Sequence, residues 1–139
     1  SLEKVGITQE WNLMTGYVTE TRKDFEATLA LVEKYKDFNF PNVIVNPVGV
    51  LHLLPGTPLY DTHARQLEIE WEDVKKGVGL VYQYWKTSSN PENTFFNRIN
   101  WWIELLELCN KYKLMTENRY QHKKTLAERM LQHWKENKA

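Results

Sequence analysis

One pattern limits the folds open to this chain more than any other: a strand-like run, a helix with one apolar face and a β-branched run follow each other near its start. Glu10-Trp11-Asn12-Leu13-Met14-Thr15 is a short apolar stretch that stops at Gly16, which predicts a strand ended by a loop. Thr21 followed three residues later by Asp24 has the form of a capping box with aspartate in the glutamate position, so a helix is predicted to begin near Arg22. Phe25, Leu29, Val32 and Tyr35 recur at helical spacing on one face, while Arg22, Lys23, Glu26, Glu33 and Lys34 occupy much of the rest. Asp37-Phe38-Asn39-Phe40-Pro41-Asn42 carries the turn and breaker signals that stop the helix, and Val43-Ile44-Val45 follows as a buried-strand composition. A helix of about four turns between two strands is long enough for a crossover, so the strands are expected to be parallel neighbours.

Two parallel strands do not make a stable sheet alone, and parallel sheets bury both faces. The pattern therefore predicts further strands, supplied by chain outside these residues or by another molecule. The expected fold class is α/β: a partial parallel βαβ unit over residues 1–62, followed by a helical C-terminal extension over 63–139. Beyond Val48-Gly49-Val50-Leu51-His52-Leu53-Leu54 the chain turns at Pro55-Gly56-Thr57-Pro58, with glycine where positive φ is cheap. Three helical patterns are then predicted, over 71–86, 94–113 and 117–136, with Ser88-Ser89-Asn90-Pro91 separating the first two. In the middle helix Phe95, Ile99, Trp102, Leu106 and Cys109 mark the buried face, and in the last Leu126, Met130 and Trp134 do.

Composition removes several functions. Lys plus Arg and Asp plus Glu both count 18, so there is no basic footprint for nucleic acid or an anionic membrane. Apolar residues at 42% and charged residues at 26% fit a folded domain, and no apolar run is long enough to cross a bilayer. Ser1-Leu2-Glu3-Lys4 lacks the basic-then-apolar pattern of a signal peptide, and a cytoplasmic location with a trimmed or processed start is expected. Cys109 is the only cysteine, so the chain holds neither an internal disulfide nor a cysteine-based metal or cluster site.

The loops after the two strands are the candidate site, because in parallel α/β folds the C-terminal strand edge collects loops and helix N-termini around a ligand. They are Gly16-Tyr17-Val18-Thr19-Glu20-Thr21 and Leu54-Pro55-Gly56-Thr57-Pro58-Leu59-Tyr60-Asp61. Glu20 has the chemistry to accept hydrogen bonds from ribose hydroxyls or an amine; the plainer reading, favoured on physics alone, is that Glu20 and Thr21 only start the helix. His52 and His63 flank the Pro-Gly turn, but no third ligand is spaced to complete a metal site. Trp71, Trp85, Trp101, Trp102 and Trp134 are expected to fill helix interfaces rather than stack on bases, and Cys109 to be a buried, inert thiol.

Taken in order, residues 7–61 resemble a known family. Leu13-Met14-Thr15-Gly16-Tyr17-Val18-Thr19-Glu20-Thr21-Arg22-Lys23-Asp24-Phe25 is similar to the strand, Gly-x-Pro-Gly-Glu-Thr loop and helix start of radical S-adenosylmethionine enzymes. Pro55-Gly56-Thr57-Pro58-Leu59-Tyr60 looks like a late barrel segment of the methylthiotransferase-like and cobalamin-dependent members. Val18 and Thr19 depart from the family's proline and glycine, and the family's Cys-x3-Cys-x2-Cys loop has no counterpart here. The resemblance implies a C-terminal fragment of such an enzyme, inactive alone. Gly16, Glu20 and Thr21 would form a wall near the cosubstrate, and Pro55, Gly56 and Thr57 a cavity loop. S-adenosylmethionine and a 4Fe–4S cluster would belong to the complete enzyme, and cobalamin is compatible with it. The partner expected is the remainder of the barrel, with self-association of the isolated chain. The alternative is a standalone, mainly helical protein-interaction module without catalytic activity.

Overall fold

The computed structural model describes residues 2–38, 40–69 and 83–138. Strands β1 (Gln9–Thr15) and β2 (Val43–Val50) pair in parallel, with helix α1 (Arg22–Lys34) between them in the chain, so the βαβ unit forms as predicted. The capping box is present: Asp24 donates its N–H to Thr21 Oγ1, and Asp24 Oδ2 accepts the Thr21 N–H at 2.9 Å. Two helix-end donors are thereby satisfied within four residues, which fixes where α1 starts.

The two faces of this sheet differ. Val43, Val45 and Pro47 on β2 are buried, and Trp11 and Leu13 opposite them are partly buried under the helices. Trp11 meets Phe38 edge-on at 4.7 Å, and Trp102 Nε1 donates to Pro47 O at 3.1 Å. On the opposite face Glu10, Asn12 and Met14 are exposed, and Asn46 donates to Glu10 Oε1 at 2.6 Å and to Asn12 Oδ1 at 2.9 Å.

Its two edges differ as well. Gln9 N–H bonds Asn42 O and Thr15 O accepts from Leu51 N–H, so by ladder alternation Glu10, Asn12 and Met14 direct their backbone groups away from β2. Among the described residues no strand pairs with that edge. The far edge of β2 is occupied instead: Val45 N–H donates to Leu114 O at 2.9 Å.

Downstream of the Pro-Gly turn come α2 (Pro58–His63), the short strands β3 (Leu67–Ile69) and β4 (Trp85–Thr87), and helices α3 (Phe95–Lys111) and α4 (Glu117–Lys138). The helix predicted over 71–86 falls mostly on residues 70–82, outside the described set. Its predicted end is corrected, because 85–87 pair antiparallel with β3 and Trp85 and Thr87 are buried there. Alternating burial along Trp85-Lys86-Thr87 is a period of two, too short for a helical reading to notice. The helices over 94–113 and 117–136 form within a few residues of the predicted bounds.

α3 is the spine of the molecule. Phe95, Ile99, Trp102, Leu106 and Cys109 are all buried, as the spacing predicts, in one cluster with Phe25, Val32, Val45 and Val50. The core therefore spans residues on both sides of position 62. α4 returns along α3, with Trp134 against Phe96 at 5.1 Å and Lys124 paired with Glu107. Its predicted face needs one correction: Leu126 is 47% exposed, and Tyr120 and Ala127 are the residues buried there. The seam therefore runs through Ala127, one position on from Leu126. Leu106→Ala should cost about 2–5 kcal/mol of stability by leaving a core cavity, whereas Leu126→Ala should stay within about 0.5 kcal/mol. Urea denaturation of both variants checks the assignment, and equal losses would contradict it.

Candidate functional site

The 16–21 loop leaves the C-terminal end of β1, and the 51–57 segment leaves that of β2. Leu51 N–H to Thr15 O, at 2.9 Å, holds the two exits side by side. Above the sheet edge Val18, Leu51, Leu53 and Trp85 form a second buried cluster, joined by Leu59, Tyr60 and Leu67. Val18 is the apolar plug of this loop, 2% exposed.

Gly16 adopts φ +83°, and a Cβ there would lie 2.1 Å from Arg98 Cδ. No side chain fits. Arg98 is fully buried and reaches past Gly16 to donate to Asn93 O (2.8 Å), Asn93 Oδ1 (3.0 Å), Gln83 O (2.7 Å) and Trp85 O (2.7 Å), with its guanidinium 3.7 Å from the Trp85 ring centre. Asn93, also fully buried, turns its amide to the loop and donates to Tyr17 O at 2.7 Å and Glu20 O at 3.3 Å. Asn90 Nδ2 donates to Glu20 O at 2.7 Å.

Glu20 is half-buried, and its carboxylate folds back to accept the Gly16 N–H. Burial pushes its pKa up, against the lowering effect of N–H groups from Gly16 and Tyr17. Thr21 is the α1 N-cap, and the next N–H, on Arg22, goes to Glu92 Oε1 at 2.9 Å. Pro55 and Gly56 are exposed at a turn closed by Thr57 N–H to Leu54 O, with Gly56 at φ +83°, the type II geometry that favours glycine. Thr57 caps α2 and donates its hydroxyl to Leu54 O at 2.7 Å. The structure thus places both predicted loops at one edge, yet among the described residues no hydrogen bond links Glu20 with Pro55, Gly56 or Thr57.

His52 lies on the β2 exit, and its Nε2 is 2.7 Å from Gln83 Nε2. In this orientation the amide donates and Nε2 accepts, leaving the proton on Nδ1; burial lowers the imidazole pKa. His63 ends α2, and no group of three or more His, Cys, Asp or Glu gathers among the described residues. Cys109 is buried in α3, its thiol pushed up to about 12 by burial, so it offers a cluster no thiolate. Trp101 and Trp102 are core residues, Trp85 belongs to the second cluster, and Trp71 lies outside the described residues. A groove of about 490 Å³ lies between α1 and α3, but its carboxylates are engaged: Glu104 with Arg22, Glu107 with Lys124, and Glu33 with the Tyr112 hydroxyl.

Sequence reasoning missed Asn90, Asn93 and Arg98. A signal for Arg98 existed, since it is the one cation at helical spacing between Phe95 and Trp102 on an apolar face. No protein-family model matches the chain, and neither a curated protein nor a solved structure matches it.

Two outcomes follow from this geometry. Gly16→Ala combines positive φ with overlap on a buried side chain and should destabilise by roughly 2–5 kcal/mol, read by thermal or urea unfolding; a loss below 1 kcal/mol, on the order of an ordinary surface change, would contradict the packing. Glu20, its pKa raised on folding, favours the folded state most when protonated, below the ordinary value of 4.5. That contribution is lost as pH rises through the raised value. Glu20→Gln should therefore flatten the decline in stability above pH 4.5, and an identical pH profile for the two proteins would refute the shift.

Proposed function

We propose that this chain is the C-terminal part of a radical S-adenosylmethionine enzyme, contributing late barrel strands and a helical extension to the cosubstrate and substrate cavity. The observation that carries the reading is the convergence of the two family-like segments, 16–21 and 55–60, at the C-terminal edge of adjacent parallel strands. The two edges of the sheet support it. Among the described residues β1 has no strand on its outer edge, where a preceding strand would add, while Leu114, in the segment between α3 and α4, takes the Val45 N–H on the outer edge of β2. The face opposite the apolar core, with Glu10, Asn12 and Asn46 hydrogen-bonded across the strands and Arg119 of α4 on Glu10 at 3.3 Å, has the polar character of an inner wall.

In the complete enzyme a 4Fe–4S cluster would supply the electron for reductive cleavage of S-adenosylmethionine. Cys109, the one cysteine of the sequence, cannot replace the three thiolates the family uses, so in this reading the cluster would be held by another part of the protein. Gly16, Glu20 and Thr21 shape the cosubstrate-facing wall, Glu20 by drawing the loop tight through the Gly16 N–H as well as by its position. Pro55, Gly56 and Thr57 form the cavity loop, whose shape is set by the turn and the α2 cap.

The test is 5′-deoxyadenosine formation by the complete protein after anaerobic reconstitution with iron and sulfide. We expect cleavage by the wild type and at least about a tenfold lower kcat/KM in Glu20→Ala, the scale of one charge-assisted hydrogen bond. No cleavage by the reconstituted wild type would overturn the reading. The chain alone should form no 4Fe–4S cluster and should self-associate through the open β1 edge; a concentration-independent monomer in light scattering would instead favour a self-sufficient module.

A further inference from the structure

We infer that Asn93 is a positioning residue for the 16–21 loop, so that the segment following β4 sets the geometry of the cosubstrate-facing wall; this rests on the proposed function for the ligand and on the structure for the contact. Three loop carbonyls, those of Tyr17, Val18 and Glu20, converge on Asn93 Nδ2 at 2.7, 3.4 and 3.3 Å. Converging carbonyl dipoles repel one another unless a donor stands among them, and Asn93 brings that donor while fully buried, where each bond counts for more than in water.

The orientation of the amide is forced. Arg98 Nη1 donates to Asn93 Oδ1 at 3.0 Å, and a guanidinium has no acceptor, so the oxygen faces Arg98 and the nitrogen faces the loop. The backbone of Asn93 is fixed at the same time, its carbonyl by Arg98 Nη1 at 2.8 Å and its N–H by Asn90 O at 3.1 Å. Asn90 adds a parallel bond from its own side chain to Glu20 O. Loop height over the sheet is therefore set by α3 and the turn before it, from 70 to 76 residues away in sequence.

Asn93→Asp separates loop positioning from core packing. It keeps an acceptor for Arg98, pairing that cation with a carboxylate, but it presents oxygen where the loop needs a donor. In the complete protein we expect Asn93→Asp to speed amide hydrogen exchange in the 16–21 segment about tenfold, with exchange in α3 unchanged. The KM for S-adenosylmethionine should rise about tenfold, with a smaller change in kcat. Asn90→Ala, which leaves Arg98 untouched, should move the same amides in the same direction by less, and keeps the test decisive if Asn93→Asp does not fold. Unchanged loop exchange in both variants would overturn the positioning role. Faster loop exchange with an unchanged KM would show that Asn93 holds the loop without serving the cosubstrate. Absence of cleavage by the wild type would refute the enzyme reading and the cosubstrate half of this inference together, while the exchange result still decides whether Asn93 holds the loop.

Discussion

Taking a guanidinium out of water is costly unless acceptors surround it, and both terminal nitrogens of Arg98, Nη1 and Nη2, find carbonyls drawn from separate segments of the chain. Much of the structure depends on this one burial. The Gln83 and Trp85 carbonyls bring the start of β4 over α3, the Asn93 contacts shape the turn into α3, and the side-chain stem fills the space that Gly16 leaves by having no Cβ. The Trp85 ring beneath the guanidinium closes the arrangement and carries it into the cluster with Val18, Leu51 and Leu53.

The candidate site inherits its shape from that joint. Its first loop is held from within by Glu20 on the Gly16 N–H and from beneath by Asn90 and Asn93 on its carbonyls. The turn of its second is set by local chemistry, a type II turn with Gly56 at the positive-φ position and Thr57 capping a short helix, while Leu59 and Tyr60 pack on the cluster with Trp85. A loop pinned by distant residues and a loop shaped by its own sequence respond differently to change. Substitutions in 88–98 reach the hydrogen bonds of the first, and substitutions in 54–58 reach the turn of the second.

That difference also explains what could be read in advance. Local signals were legible: the Thr21 and Asp24 cap, the β-branched run at Val43, the glycine of the Pro-Gly turn and the apolar stripe of α3 all specify their own conformation within a few residues. Non-local contacts were not. Asn93 is one asparagine among several until the fold brings Tyr17 O to it, and Leu126 matches an apolar spacing although Ala127 beside it is the residue that is buried. The strand at Trp85-Lys86-Thr87 exists through pairing with Leu67-Glu68-Ile69, a partner no local pattern reveals. Glu20 lies between the two cases, because its place before the helix was evident and its fold-back onto Gly16 was not.

The central claim is that β1 and β2 are the terminal strands of a larger parallel sheet whose C-terminal edge receives S-adenosylmethionine. A crystal structure of the complete protein with that compound present tests it most directly. The account predicts a further strand parallel to β1 on the edge presented by Glu10, Asn12 and Met14, and electron density for the adenosine beside the 16–21 loop. A β1 edge left in solvent or paired antiparallel, with no ligand at the strand ends, would contradict it.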